Sequence, residues 1–332
     1  MSIIFYKHLA LYNNFVYYYL IYSIIIYLNP KLKDNTQRRR AEAVLVIITL
    51  IWGGTFVVIK GALEDTSPLF FVGTRFFIAT IMVTPFIITK LKGFTAPVIR
   101  AGIILGTIMF LGFSTQTLGL QYTTASKSGF ITGLAVVFTP ILQMFIERRA
   151  PRPGNVIGVI LVVIGLYFLT SPAGASFNIG DGLTLVCAFF FALYIVYIDV
   201  FSKKYSIIHL VYLQICTVMV LSFLFAAGFE TIQFSVTGNL LFALAYTAIL
   251  ATVINTYLHT EYQRYTTPTR AAIIFTLEPV FAALLAFFVL HELLGLRGVI
   301  GGAIIIFGIL VSELSDLLDK WGFSLWSEQK QL

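Results

Sequence analysis

An arginine, a lysine and a glutamate stand where so apolar a chain has little reason to place a charge. Arg75 lies in TRFFIATIMVTPF, Lys127 in TTASKSGFITG and Glu278 in FTLEPVFAALLAF. A charged side chain at the middle of a lipid-embedded helix costs roughly 2.5–3.5 kcal/mol on insertion scales, so each needs a partner or a task. A guanidinium or ammonium can hold an anionic group, and a carboxylate can hold a cation or exchange a proton. Structural roles compete at each position. Arg75 could be half of an ion pair or could snorkel to the lipid surface. Lys127 could simply face water at the mouth of its helix. Glu278 could fix a bend, because Pro279 follows it directly and removes a backbone donor.

Other residues extend this chemistry. Trp52-Gly53-Gly54-Thr55 combines a flat aromatic face with two glycines that allow close approach and interrupt a helix near its middle. Pro85 and Pro140 are expected to bend their helices as Pro279 does. Gln116 and Asn255 are neutral polar groups in apolar surroundings, which either join helices or line a cavity. Gln143 and Gln214 are of the same kind. Asp199 and Lys203 have the spacing of an interfacial pair, and Asn255 and His259 share one helical face on which a proton could pass.

No enzymatic constellation accompanies these residues. His291-Glu292 is followed by Leu-Leu-Gly, so the zinc-binding HExxH pattern fails at its last position. The sequence contains no GxSxG elbow, no GxxxxGK[ST] loop and no CxxC. Cys187 and Cys216 lie inside apolar runs, as buried thiols do. The expectation is therefore no enzyme, no metal and no cofactor. Energy would come from a gradient of solute or ion, with a proton as the candidate coupling ion.

The elements that must position these groups are long apolar helices. Of 332 residues, 58% are hydrophobic and 11% charged, against about 25% charged in soluble domains. A helix needs about 20 residues to cross the hydrocarbon core. Runs of that kind recur at roughly 42–62, 69–89, 98–119, 124–146, 154–171, 182–201, 207–228, 238–259, 268–290 and 295–313. Their length and lack of alternation favour helices over barrel strands. Basic residues cluster between them, which argues against nucleic acid as the partner of a +7 chain. If alternate connections face the cytoplasm, 17 of the 22 Lys and Arg lie there and only Lys60, Lys127 and Arg297 lie in connections opposite. The positive-inside rule then places the C-terminus in the cytoplasm.

The chain also repeats itself. Residues 122–169 and 265–312 align without a gap at an offset of 143, matching at Tyr122/Tyr265, Thr123/Thr266, Thr124/Thr267, Gly158/Gly301 and Gly165/Gly308, with Lys127 falling on Arg270. Five spans per half make the two copies opposite in orientation, the pattern of transporters built from inverted repeats. The reading is an all-α integral membrane protein, a ten-helix bundle of two inverted five-helix repeats. Its parts are an N-terminal hydrophobic extension with a basic linker (1–41), a first repeat (42–171), a linker (172–181), a second repeat (182–313) and an amphipathic cytoplasmic tail (314–332). Residues 15–28 are read as an interfacial anchor or an extra span. Leu314, Leu317, Leu318, Trp321 and Leu325 recur at helical spacing for a surface helix.

The segments WGGTFVVIK, Pro68 with Thr74-Arg75-Phe76, YTTASKSGFITGLAVVFTP and TRAAIIFTLEPVFAALLAFFVLHE resemble the EamA branch of the drug/metabolite transporter superfamily over about 42–313. That resemblance implies a central cavity opening alternately to either side, and export or exchange of small organic solutes such as amino acids. A sugar-phosphate or nucleotide-sugar exchanger is the neighbouring reading, and a membrane-embedded enzyme or scaffold a more distant one. Trp52, Arg75, Gln116, Lys127, Asn255 and Glu278 are the expected cavity or gating residues. The expected setting is the plasma membrane and its lipid, with monomer and homodimer both open.

Overall fold

In a computed structural model, residues 30–148, 150–170, 177–290 and 295–320 are described. The apolar stretch 15–28, His291-Glu292 and the tail beyond Lys320 lie outside them. The described regular structure is helical, apart from one isolated bridge between Thr66 and Phe234. Apolar sequence in lipid leaves the backbone no other partner than itself, and the helix satisfies it within one segment.

The helices in chain order are α1 (Pro30–Gly53), α2 (Thr55–Ala62), α3 (Pro68–Ile88), α4 (Ala96–Tyr122), α5 (Ala125–Gly133), α6 (Ala135–Glu147) and α7 (Pro153–Thr170) in the first half. The second half has α8 (Ile179–Ser202), α9 (Ile207–Phe229), α10 (Gly238–Ala245), α11 (Asn255–Tyr262), α12 (Pro268–Phe275), α13 (Glu278–Leu290) and α14 (Leu296–Lys320). Among the described residues, seven helical stretches are long and apolar enough to cross a membrane: 36–62, 68–88, 96–122, 127–147, 179–202, 207–229 and 238–265. Two shorter apolar helices cover 153–169 and 296–312. The ninth expected span is the broken pair α12 and α13, and α14 runs on without interruption to Lys320.

The internal repeat is structural as well as sequential. α5 and α12 begin at equivalent residues, Ala125 and Pro268, and α6 and α13 begin at Ala135 and Glu278 and end at Glu147 and Leu290, each displaced by the same 143. Both α5 and α12 are capped by a threonine whose hydroxyl accepts from the backbone three residues on, Thr124 from Lys127 and Thr267 from Arg270.

These equivalent helices start at opposite ends of the bundle. Thr123 and Lys127 reach Asp181, in the first turn of α8. Gln263, three residues before Thr266, donates to the Ile195 carbonyl, about four turns or roughly 21 Å further along α8. The two repeats are thus inverted with respect to each other.

The two largest of four apolar clusters among the described residues make most of the body. One gathers Phe76, Leu105, Ile198, Leu210 and Ile215 from α3, α4, α8 and α9. The other gathers Leu45, Ile48, Leu166, Ile273 and Ile305 from α1, α7, α12 and α14. In the second cluster α7 crosses α14 at glycines. A methyl on Gly158 would lie 2.9 Å from the Gly308 carbonyl oxygen, and one on Gly165 would lie 2.8 Å from that of Gly301. Small residues allow this backbone approach, which in lipid replaces the hydrophobic drive for packing.

Candidate functional site

Between these two clusters lies a cavity. It is lined from both halves, by Trp52 and Arg75 on one side and Phe275 and Glu278 on the other, with Gln116 and Tyr194 between. The helices that reach it are the interrupted ones. α1 gives way to α2 at Gly54, where a side chain would meet the Tyr246 hydroxyl at 2.8 Å. Gly53 brings its backbone to the α12–α13 break, because a methyl there would stand 3.0 Å from the Glu278 carbonyl oxygen. The breaks themselves fall at Leu134 and at Thr276-Leu277.

A third irregularity shapes the cationic wall. Residues Tyr246–Ile254 form a π-helical stretch between α10 and α11. Such wide turns release carbonyls from the usual ladder and occur frequently at functional sites. Here the Ala251 carbonyl accepts from Arg75 Nη2 at 3.2 Å and from Trp52 Nε1 at 3.4 Å. Arg75 Nε donates to Thr252 Oγ1 at 2.7 Å, and that hydroxyl in turn donates five residues back, to the Thr247 carbonyl. The guanidinium carbon lies 4.7 Å from the centre of the Phe113 ring, an arrangement that attracts the cation to the ring face. Arg75 is 2% exposed and forms no ion pair with a described residue. Its partners among the described residues are neutral.

Glu278 supplies the opposite sign. It opens α13 and lines the cavity, and its carboxylate makes no hydrogen bond or ion pair with a described residue. The wall between these charges is aromatic. His259 packs edge to face against Phe275, Trp52 and Tyr194, with ring centres 5.0, 5.6 and 5.5 Å apart. His259 also bonds Gln263 through Nε2, and Tyr194 donates to Gln214 Oε1 at 2.7 Å. Gln116 donates to Thr132 at 3.4 Å on the same surface.

Of the expected residues, Trp52, Arg75, Gln116 and Glu278 share this cavity. Lys127 does not line it. Its ammonium lies 2.5 Å from Asp181 Oδ2 at one end of the bundle. Asn255 is buried against α1, donating to the Ile48 carbonyl at 2.9 Å. Pro140 lies inside α6 beyond the Leu134 break, Pro85 lies inside α3 near its end, and Pro279 occupies the second position of α13. His259 was read with Asn255 as a path for a proton rather than as part of an aromatic wall, and Tyr194, Phe275 and the π-helical stretch were not legible as site components. The aromatic residues are unremarkable among 31 Phe and 17 Tyr, and a π turn leaves no residue pattern.

The profile of the EamA-like transporter family matches residues 39–171 and again residues 178–314. The chain belongs to this family. An uncharacterized transporter of Archaeoglobus fulgidus is 37% identical over 281 residues, covering 85% of this chain and 88% of its own length. Uncharacterized transporter YoaV of Bacillus subtilis is 24% identical, covering 82% of this chain and 96% of its own. A solved crystal structure with 19% identity superposes at a TM-score of 0.70 over 84% of this chain and 98% of the other, which shows the shared fold alone. This EamA-like chain, with Arg75 and Glu278 in a largely apolar cavity between inverted repeats, is a multi-pass membrane transporter whose partners are a small-molecule solute and the surrounding lipid.

Proposed function

We propose that this EamA-like protein moves small organic solutes carrying both a cationic and an anionic group, amino acids being the simplest, by exposing the cavity alternately to the two membrane faces. One observation carries the reading. Arg75 and Glu278 line one cavity, and neither charge is neutralised by a described side chain. A zwitterion brings the missing counter-charge to both, and the ring surfaces of Trp52, Phe275 and Tyr194 suit an apolar side chain. A solute of single charge leaves one buried group unmatched.

The sugar-phosphate reading fits less well, because Lys127 and Arg270 are engaged with Asp181 and Glu42, leaving Arg75 as the cation of the cavity. Glu278 is the candidate carrier of a coupling proton. The distribution of basic residues supports a plasma-membrane setting with α14 ending on the cytoplasmic side, and export or exchange is the direction in keeping with the resemblance. The test is uptake of radiolabelled amino acids, organic acids and sugar phosphates into proteoliposomes. Movement of zwitterions, lost in both Arg75→Gln and Glu278→Gln, supports the proposal. Movement of phosphorylated sugars alone overturns it.

A further inference from the structure

The two ends of the bundle are closed by the same device. At one end Lys127 Nζ meets Asp181 Oδ2 at 2.5 Å, and Thr123 Oγ1 donates to Asp181 Oδ1 at 2.7 Å. At the other, Arg270 Nε meets Glu42 Oε1 at 3.0 Å, and Thr266 Oγ1 donates to the same oxygen at 2.9 Å. Thr123 and Lys127 are the repeat equivalents of Thr266 and Arg270. Each clasp runs from the start of the broken fourth helix of one half to an acid in the first helix of the other. Asp181 is fully buried and Glu42 is 8% exposed. The acids are not repeat equivalents, since Asp181 falls on residue 38 at the common offset, so the two halves reached one arrangement from different positions.

We infer that these clasps are the gates of the transport cycle: Lys127–Asp181 locks one mouth and Arg270–Glu42 the other, and each opens only while its counterpart holds. The inference rests on the alternating-access reading. The halves can part at one end only if the bonds joining them there break. Breaking either pair costs the attraction of a buried ion pair, although Asp181 keeps the Asn178 amide at 2.9 Å and Glu42 keeps Arg38 at 3.7 Å. Both clasps are formed in this structure. A state open at both ends would lack both sets of bonds, so the arrangement suppresses a leak while leaving either single opening accessible. Thr123 and Thr266, with the Asn178 amide on Asp181 and Arg38 on Glu42, help hold each carboxylate in register, and the two threonines so act as positioning residues.

The experiment reads the two mouths separately and without any solute. In a Cys187→Ser, Cys216→Ser background, Thr132→Cys places a thiol on the cavity wall. A membrane-impermeant maleimide then labels it in right-side-out or inside-out vesicles. Asp181→Asn is expected to raise labelling from one face by about fivefold or more, and Glu42→Gln to raise it by a like factor from the opposite face. The charge swap Lys127→Asp with Asp181→Lys should restore the unmodified rate. A further double variant, Lys127→Cys with Asp181→Cys, once oxidised, should block labelling from the first face alone, reversibly with reductant. Increases from the same face for both substitutions, or unchanged labelling in every variant including the oxidised pair, would overturn the inference. Side-specific labelling in a protein that moves no zwitterion leaves the clasps standing and removes only the solute reading.

Discussion

Arg75 and Trp52 donate to one oxygen, the carbonyl of Ala251. That acceptor is available because the backbone around it has opened into a π turn, so the cation of the cavity is positioned by a backbone irregularity rather than by an acidic side chain. Its strength as an anion receptor follows. A carboxylate partner would neutralise it, whereas a carbonyl and a hydroxyl orient it and leave its charge for the solute.

Removing the hydroxyl that holds Arg75 tests this arrangement. Thr252→Val keeps the side-chain shape and deletes both the acceptor for Arg75 Nε and the bond back to Thr247. The expected cost is about 1–3 kcal/mol in stability, with solute affinity reduced about tenfold by the freed guanidinium. Thermal melting and equilibrium binding in detergent measure the two separately.

Charge removal should divide the solutes by class. Glu278→Gln is expected to weaken zwitterion binding by about 10–100-fold, roughly 1.4–2.8 kcal/mol, and to spare N-acylated analogues that have lost the ammonium. Arg75→Gln should spare the esters that have lost the carboxylate. Competition against one radiolabelled zwitterion reads both. Equal loss for all analogues in either variant would mean that these groups hold the fold rather than the solute.

The glycine crossing of α7 and α14 predicts a sharp local intolerance. Gly165→Ala sets a methyl against the Gly301 carbonyl oxygen at 2.8 Å, and overpacking of this kind costs about 1–3 kcal/mol. Gly228→Ala meets nothing within 4 Å and should leave the melting temperature unchanged or slightly raised. A melt that shifts equally in both would remove the role given to that crossing.

Lys60 supports the mouth closed by Lys127 and Asp181. Its ammonium donates to the Leu120 carbonyl and, at 3.0 Å, to that of Thr123, satisfying the end of α4. Lys60→Met retains the aliphatic stem and should cost about 1–3 kcal/mol. Cavity labelling from that mouth should rise less than in Asp181→Asn, since Lys60 binds carbonyls of its own half. Thermal melting and maleimide labelling report the two effects.

Much of the framework was legible because it depends on run length and on the 143-residue offset, both properties of one-dimensional sequence. The offset located the equivalent spans 124–146 and 268–290, the matched threonines at their start and the basic residues Lys127 and Arg270. The break at Gly54 was readable from two adjacent glycines. The break at Thr276-Leu277 lies just before Pro279, where a bend was expected, whereas the break at Leu134 follows the single Gly133 and lies six residues before Pro140, the proline expected to mark it. Lys127 was readable as a residue with a task, but its partner Asp181 was hidden in what looked like the end of a linker, and Glu42 stood beside the basic run 38–40. Acids at unequal register leave no mark in the alignment of the halves. The aromatic wall was visible only through Trp52 and His259, since apolar rings occur everywhere in such a chain and only the fold selects those that face inward.

Gly158 touches Gly308, and Gly165 touches Gly301, yet within the repeat it is Gly158 that corresponds to Gly301 and Gly165 to Gly308. Each contact therefore joins one member of one equivalent pair to a member of the other. After duplication, a bulkier residue arising in either copy would strike the twin's backbone, so neither copy could drift at these sites while its sister stayed fixed. All four positions are held to glycine by the backbone opposite, a constraint that each half imposes on the other.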